Sequence, residues 1–254
     1  IVSANWTTAS SVLGPLRAAK DDEEIDALRR AGAAVDLVAE ELQAGKIPLI
    51  GRSEAAVAAD IRARILDEGH RKVNFCIVAS GPNSASPHHE TSDRLIQADE
   101  PVLFDFGGTT AEAEGRPGYC SDTSRMVFTG TPPAEYVEAY EVLQSAQEAG
   151  CAAAVVGAPA ESVDAASRDV LVAAGLGEYF IHRLGHGIGM EAHEDPYLVD
   201  GNTEPLVAGN AFSIEPGFYI ADKWGARIED IVVASDEGPL RLNNSDRDLA
   251  VVES

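Results

Sequence analysis

Residues 182–194 read His182-Arg183-Leu184-Gly185-His186-Gly187-Ile188-Gly189-Met190-Glu191-Ala192-His193-Glu194. Three of the chain's six histidines fall here, which marks a candidate site rather than a scatter of core residues. A helical zinc pair, His182 with His186, is disfavoured by Gly185, Gly187 and Gly189, and Arg183 stands where a zinc-protease helix carries its glutamate. Extended backbone is the better reading, with glycines that let it approach a neighbour or ligand closely. Other strands must then surround it. The stretches 72–79, 101–106, 121–129, 211–220 and 226–234 are predicted strands, and 80–92 is a turn-rich loop. Helices are predicted where the period changes. The first starts at Asp21 and Asp22, carries Ile25, Leu28, Ala31, Val35, Val38 and Leu42 on one face, and stops at Gly45. Others cover 53–68, 134–151 and 160–174. Helices and strands in separate runs define an α+β class.

Four carboxylates fall on or beside these strands in a repeating plan. Asp105 is followed by Gly107-Gly108 and then, one strand later, by Asp122; Glu215 is followed by Pro216-Gly217 and then by Glu229. Two acid-bearing strand pairs are consistent with a pseudo-twofold axis. By strand alternation Asp105 shares a face with Leu103, Asp122 with Ser124 and Met126, and Glu229 with Arg227, Ile231 and Val233, while Asp230 faces the other way. Inward carboxylates need compensation. Either arginines such as Arg125 and Arg227 pair with them, or they hold cations.

Composition removes other classes. Nineteen Lys and Arg against 42 Asp and Glu give a net charge of −23, which excludes a nucleic-acid partner and docking on anionic lipid. No apolar run approaches the roughly 18 residues that a membrane helix needs. Cys76, Cys120 and Cys151 are odd in number and form no CxxC, so a reducing, cytoplasmic location is expected. Asp105-Phe106-Gly107 lacks the other kinase motifs, and 185–189 has the wrong spacing for a dinucleotide fingerprint. The chain starts at Ile1, and residues 1–20 read as a connector from an upstream domain.

Five ordered segments carry a resemblance: Leu103-Phe104-Asp105-Phe106-Gly107, Ser121-Asp122-Thr123-Ser124-Arg125, Gly185-His186-Gly187-Ile188-Gly189 with His193-Glu194, Ile214-Glu215-Pro216-Gly217, and Arg227-Ile228-Glu229-Asp230. Together the segments resemble the signatures of the pita-bread metallopeptidases, in the Xaa-Pro branch of aminopeptidase P and prolidase. The resemblance implies a pseudo-twofold, curved antiparallel sheet flanked by helices. It places a connector at 1–14 and a catalytic domain at 15–254. It implies that Asp105, Asp122, His186, Glu215 and Glu229 ligate two divalent metals, with Asp122 and Glu229 bridging. His88 and His193 match substrate-side histidines, and His182 and Arg227 match substrate-binding positions. His89 and Glu90 are treated as loop residues. The gap between Asp105 and Asp122 is longer than the family's usual one, which points to a longer hairpin loop within 109–117.

The activity implied is hydrolysis of the peptide bond preceding proline by a metal-bridged hydroxide, in an Xaa-Pro dipeptidase or aminopeptidase. The substrate is a peptide or dipeptide with proline second, and a homodimer is implied for the full-length form. Four carboxylates and one imidazole suit hard or borderline ions, with Mn²⁺ foremost and Co²⁺, Zn²⁺ or Fe²⁺ as alternatives. A shared water would reach a pKa near 7 between two such ions, and Glu215 could take its proton. Phe212, Tyr219 and Tyr197 are candidates for a proline-ring pocket. The rivals are a methionine aminopeptidase-like enzyme, a metal-free creatinase-like hydrolase and an inactive peptide-binding module on the same fold.

Overall fold

A computed structural model describes residues 6–111 and 117–253. Helix α1 (Ser10–Ala18) leads into α2 (Asp22–Gln43). The start of α2 is fixed locally: the Asp21 carboxylate accepts the Glu24 amide, and the Glu24 carboxylate accepts the Asp21 amide, a capping box. Gly45, at φ 66°, follows its end. The Ser53 hydroxyl accepts the Ala56 amide at 3.1 Å and starts α3 (Glu54–Asp67).

Strands β1 (His70–Ser80), β2 (Glu100–Thr110), β3 (Thr123–Thr129) and β11 (Ala250–Val252) make one sheet in that order, antiparallel except for the β3–β11 pair. The predicted stripe of α2 lies on it. Val35, Val38 and Leu42 pack with Ile61 and Ile65 of α3 against Phe104 and Phe106 of β2. Each such buried side chain contributes about 1.5–3 kcal/mol.

The second half repeats the plan. Helices α4 (Ala134–Ala153) and α5 (Ala160–Ala173) cover a five-stranded antiparallel sheet, ordered β10 (Leu240–Arg241), β9 (Asp230–Val233), β6 (Ala211–Ile214), β4 (Gly185–Gly187), β5 (Glu194–Leu198). Gly185 is required by close approach: a Cβ there would lie 1.8 Å from the Ser213 carbonyl of β6. A hairpin of β7 (Gly217–Ile220) and β8 (Trp224–Arg227) completes the structure. The two large sheets meet at an isolated bridge between Ser124 and Glu229, so two of the acid-bearing segments touch at the seam.

Three expectations change. The predicted strand 211–220 is two strands, β6 and β7, broken at Glu215-Pro216, and 226–234 is β8 and β9, broken at Ile228-Glu229. Proline has no N–H for a ladder, so the chain leaves one sheet there and enters the hairpin. Asp122 precedes β3 rather than lying on it. The connector region is helical over Ser10–Ala18, through Gly14-Pro15, because Arg17 and Lys20 anchor it: they reach Glu194 at 2.7 and 2.6 Å. Residues 1–5 of the expected connector and 112–116 of the expected longer loop lie outside the described residues. Among the described residues, no helix is long and apolar enough to cross a membrane, and the three cysteines are buried and free.

Candidate metal centre

All five expected ligands line one cavity of about 800 Å³, together with His88, His182, His193 and Arg227. Asp105 comes from the middle of β2, Asp122 from the approach to β3, His186 from β4, and Glu215 and Glu229 from the two strand breaks. Asp122, His186 and Glu229 each offer a ligand atom within 4.8 Å of the others, and all three are buried. His186 Nε2 lies 3.3 Å from Glu215 Oε1 and 3.8 Å from Asp122 Oδ2.

The electrostatics require compensation. Arginine pairing accounts for Asp105, whose Oδ2 accepts from Arg227 at 2.6 Å. Arg125 instead binds Asp230, on the far face of β9, at 2.7 Å. Burial, then Glu229, Asp105 and Glu215, push Asp122 well above the usual carboxylate range. Burial, then Glu215 and Asp105, do the same to Glu229. Burial lifts Glu215 to about 7, with Asp105 adding to it against the opposing pull of Arg227. His186 Nδ1 faces the Gly187 carbonyl at 3.1 Å, which assigns the proton to Nδ1 and leaves the Nε2 lone pair turned to the acids. Burial pushes this imidazole down to about 4, so it is neutral near pH 7.

Buried Asp105 Oδ1 and Asp122 Oδ1 have no hydrogen-bond partner. Unsatisfied carboxylate oxygens converging on an imidazole lone pair are what divalent cations neutralise, and the donor set fits them. Ser124 Oγ holds Glu229 Oε2 at 2.7 Å and Ser213 Oγ holds Glu215 Oε1 at 3.0 Å, which orients both acids.

A test follows from the raised acids. Folded Glu215 titrates near 7 against an ordinary 4.5, so between those values the folded state holds a proton that the unfolded chain has lost, and stability falls as pH rises. In chelator, Glu215→Gln should therefore melt higher than wild type at pH 8, by on the order of 1–3 kcal/mol, with the gain gone by about pH 4.5. With Mn²⁺ added the order should reverse. A variant no more stable than wild type at pH 8 would refute this electrostatic picture.

His182 and Arg227 line the cavity with their polar atoms turned to protein. Arg227 donates to Asp105, to Ser124 Oγ at 3.0 Å, to the Pro87 carbonyl at 3.2 Å and to the Tyr219 hydroxyl at 2.8 Å. Tyr219 in turn meets His182 Nε2 at 2.9 Å. Burial, then Arg227, push His182 down to about 3. Of the ring-pocket candidates, Tyr197 borders the cavity. Phe212 does not: it is fully buried among the residues under α4 and α5, because the middle strands of a covered sheet bury both faces. Tyr219 is spent on Arg227 and His182. The apolar wall is Phe75 and Ile77 of β1 with Tyr197 of β5 and the following Val199. Arg183 was not singled out in sequence as a site residue. It lines the cavity with its guanidinium 4.8 Å above the Tyr197 ring, its buried Nε has no hydrogen-bond partner, and among the described residues no ion pair holds it.

Residues 26–236 match metallopeptidase family M24. A protein named probable dipeptidase PepE from Mycobacterium tuberculosis is 50% identical over 244 residues, 96% of this chain and 63% of its own length. An Xaa-Pro dipeptidase from Lactobacillus helveticus is 41% identical over 98% of this chain and 67% of its own. Among solved structures, dipeptidase PepE from Mycobacterium ulcerans superposes with a TM-score of 0.92 at 51% identity, over 97% of this chain and 64% of that one. A prolidase from Thermococcus sibiricus gives 0.89 at 43%, over 96% and 65%. The chain belongs to metallopeptidase family M24, and its fold is the pita-bread fold. It spans a little under two thirds of the length of the first of these relatives.

Proposed function

We propose that this chain carries the active site of a metal-dependent hydrolase that cleaves the peptide bond preceding proline in Xaa-Pro dipeptides. One observation carries the reading: Asp122, His186 and Glu229 converge within 4.8 Å, beside Asp105 and Glu215, inside a cavity with an apolar wall. The names Xaa-Pro dipeptidase and prolidase borne by relatives support it. Asp105, Asp122, His186, Glu215 and Glu229 would hold two divalent ions, with Mn²⁺ the first to test. When bound, such ions acidify water to a pKa near 7 and polarise a carbonyl.

The chain's own residues do the rest. Glu215 accepts the proton of the attacking water and passes it to the prolyl nitrogen as the C–N bond breaks and the C–O bond forms. That nitrogen has no hydrogen of its own and leaves as a secondary amine, so it needs this proton. His193 and His88, both lining the cavity, donate to the carbonyl oxygen as it gains charge. Phe75, Ile77 and Val199 pack against the pyrrolidine ring and exclude water. His182 and Arg227 wall the substrate side, and Arg227 also holds Asp105 in place.

Arg183 supports the dipeptide as substrate. A cavity guanidinium without a carboxylate of its own suits the free C-terminal carboxylate of a two-residue peptide. Arg183→Met should raise KM for an Xaa-Pro dipeptide about 10- to 100-fold and leave the dipeptide amide nearly unaffected. Equal effects on both would remove Arg183 from this role. The function itself is tested with the metal-loaded protein on an Xaa-Pro dipeptide, a longer Xaa-Pro peptide and a Met-initiated peptide. Turnover of the dipeptide first is expected. Cleavage of the Met peptide alone, or no turnover with any of Mn²⁺, Co²⁺, Zn²⁺ or Fe²⁺, would overturn it.

The division into a connector at 1–14 and a catalytic domain at 15–254 stays part of this proposal. It is supported by the family match lying inside the second part, with α1 running across the boundary. A cytoplasmic location is supported by the three free cysteines, and a homodimer of the full-length form by the family resemblance.

A further inference from the structure

Glu54 is the first residue of α3, where a glutamate ordinarily points to water beside the helix's positive end. Here it is fully buried and turned away from its helix, towards the loop that carries His88. Its Oε1 accepts from the Ser80 amide at 2.8 Å, the Ser80 hydroxyl at 2.8 Å and Asn83 Nδ2 at 2.9 Å. Its Oε2 meets His89 Nε2 at 2.8 Å and accepts from the Ser92 hydroxyl at 2.7 Å and the Ser92 amide at 3.1 Å. One carboxylate thus ties down the loop at both ends, Ser80 and Ser92, and twice between them. Burial would raise its pKa, but the hydrogen bonds from Ser92, Asn83, Ser80 and His89 outweigh that and hold it down to about 2. It is a stable anion saturated with donors.

His88 itself is exposed at the cavity rim, and its neighbours on both sides are held. The Pro87 carbonyl accepts from Arg227, the same side chain that grips Asp105, and the His89 ring is on Glu54. Beyond the short 3₁₀ turn Gly81–Ala85, the loop's own backbone supplies one tight turn, His89 N–H to the Ser86 carbonyl at 3.2 Å, and Thr91 Oγ1 accepts the Val78 amide at 3.0 Å; the carboxylate of Glu54 supplies further ties. An exposed side chain on such a loop samples many positions unless its backbone is pinned.

We propose that Glu54 is a positioning residue for the reaction: through its hydrogen bonds to Ser80, Asn83, His89 and Ser92 it sets His88 against the cavity from outside the metal centre. What His88 does there rests on the hydrolase reading above; where Glu54 sits does not. A displacement of about 1 Å at a group that contacts the reacting atoms costs on the order of 10²-fold, so the anchor should be visible in turnover.

The test uses the chain loaded with diamagnetic Zn²⁺ and labelled histidine, the His88 ring resonance being assigned from His88→Ala. In Glu54→Gln that resonance should broaden or split, while those of His70 and His182 stay in place and the metal content is unchanged. With an Xaa-Pro dipeptide, kcat should fall about 10- to 100-fold with KM little changed. On the His88→Ala background the same substitution should cost less than about threefold. An unmoved His88 resonance, or equal losses on both backgrounds, would overturn the proposal. If Glu54→Gln does not fold, Ser92→Ala removes a single donor and carries the same test with a smaller loss. If wild type turns over no Xaa-Pro substrate, the hydrolase reading fails and the resonance alone decides the role of Glu54.

Discussion

Asp122→Asn should lose at least one of the two metals and about 10³-fold or more in turnover. The side chain keeps its size, so the effect is one of charge. Asp122 is buried beside Glu229 and His186 with Oδ1 lacking any hydrogen bond, and as a bridging ligand it would serve both ions. A bridging carboxylate contributes several kcal/mol to holding and orienting the ions, and about 4 kcal/mol corresponds to a factor near 10³. The same substitution should raise the melting temperature in chelator at neutral pH, because the cost of keeping this acid buried beside Glu229, Asp105 and Glu215 is gone. It should shrink the melting increase that added metal brings. Metal analysis, a dipeptide assay and two melts read all three effects. Wild-type turnover, or a full metal complement, would overturn the bridging role.

His193→Ala should keep both metals and lose about 10²- to 10³-fold in kcat. Its ring lies 4.0 Å from that of His186, centroid to centroid, in the same cavity that His88 lines. Burial, then His186, push it down to about 4, so near pH 7 it is a neutral N–H donor suited to a carbonyl oxygen that gains charge. The backbone should hold when the ring is removed, because Glu194 next to it is clamped by Lys20 at 2.6 Å and Arg17 at 2.7 Å. The contrast is His186→Ala, which should release metal. Loss of metal from His193→Ala, measured by atomic absorption, would make His193 a ligand instead.

The reach of the sequence differs from residue to residue. Helix α2 was legible because its signals are local: Asp21 and Glu24 cap each other and Gly45 follows the end. The five candidate ligands were legible through their motifs, and they line one cavity. The strand breaks at Glu215 and Glu229 were not, since an apolar run reads the same whether it stays in one sheet or changes sheets. Phe212 failed for a related reason: a strand covered on both sides has no polar face to show which way a ring points. Glu54 carries no local signal beyond its place at a helix start, and the four residues that hold it lie 26 or more positions away. With 42 Asp and Glu in the chain that could pair with it, only the surroundings of Arg183 in space reveal that its Nε has no partner.

Sequence by itself determined helices α2 to α5 and the identity of the candidate ligands, because caps, periodicity and residue type act over a few positions or through intrinsic charge. Tertiary structure alone decided which acids are compensated. Arg125 went to Asp230 and Arg227 to Asp105, leaving Asp122, Glu215 and Glu229 beside a neutral imidazole. Coulomb and desolvation energies depend on distance and burial in space, and neither is written in the order of residues along the chain.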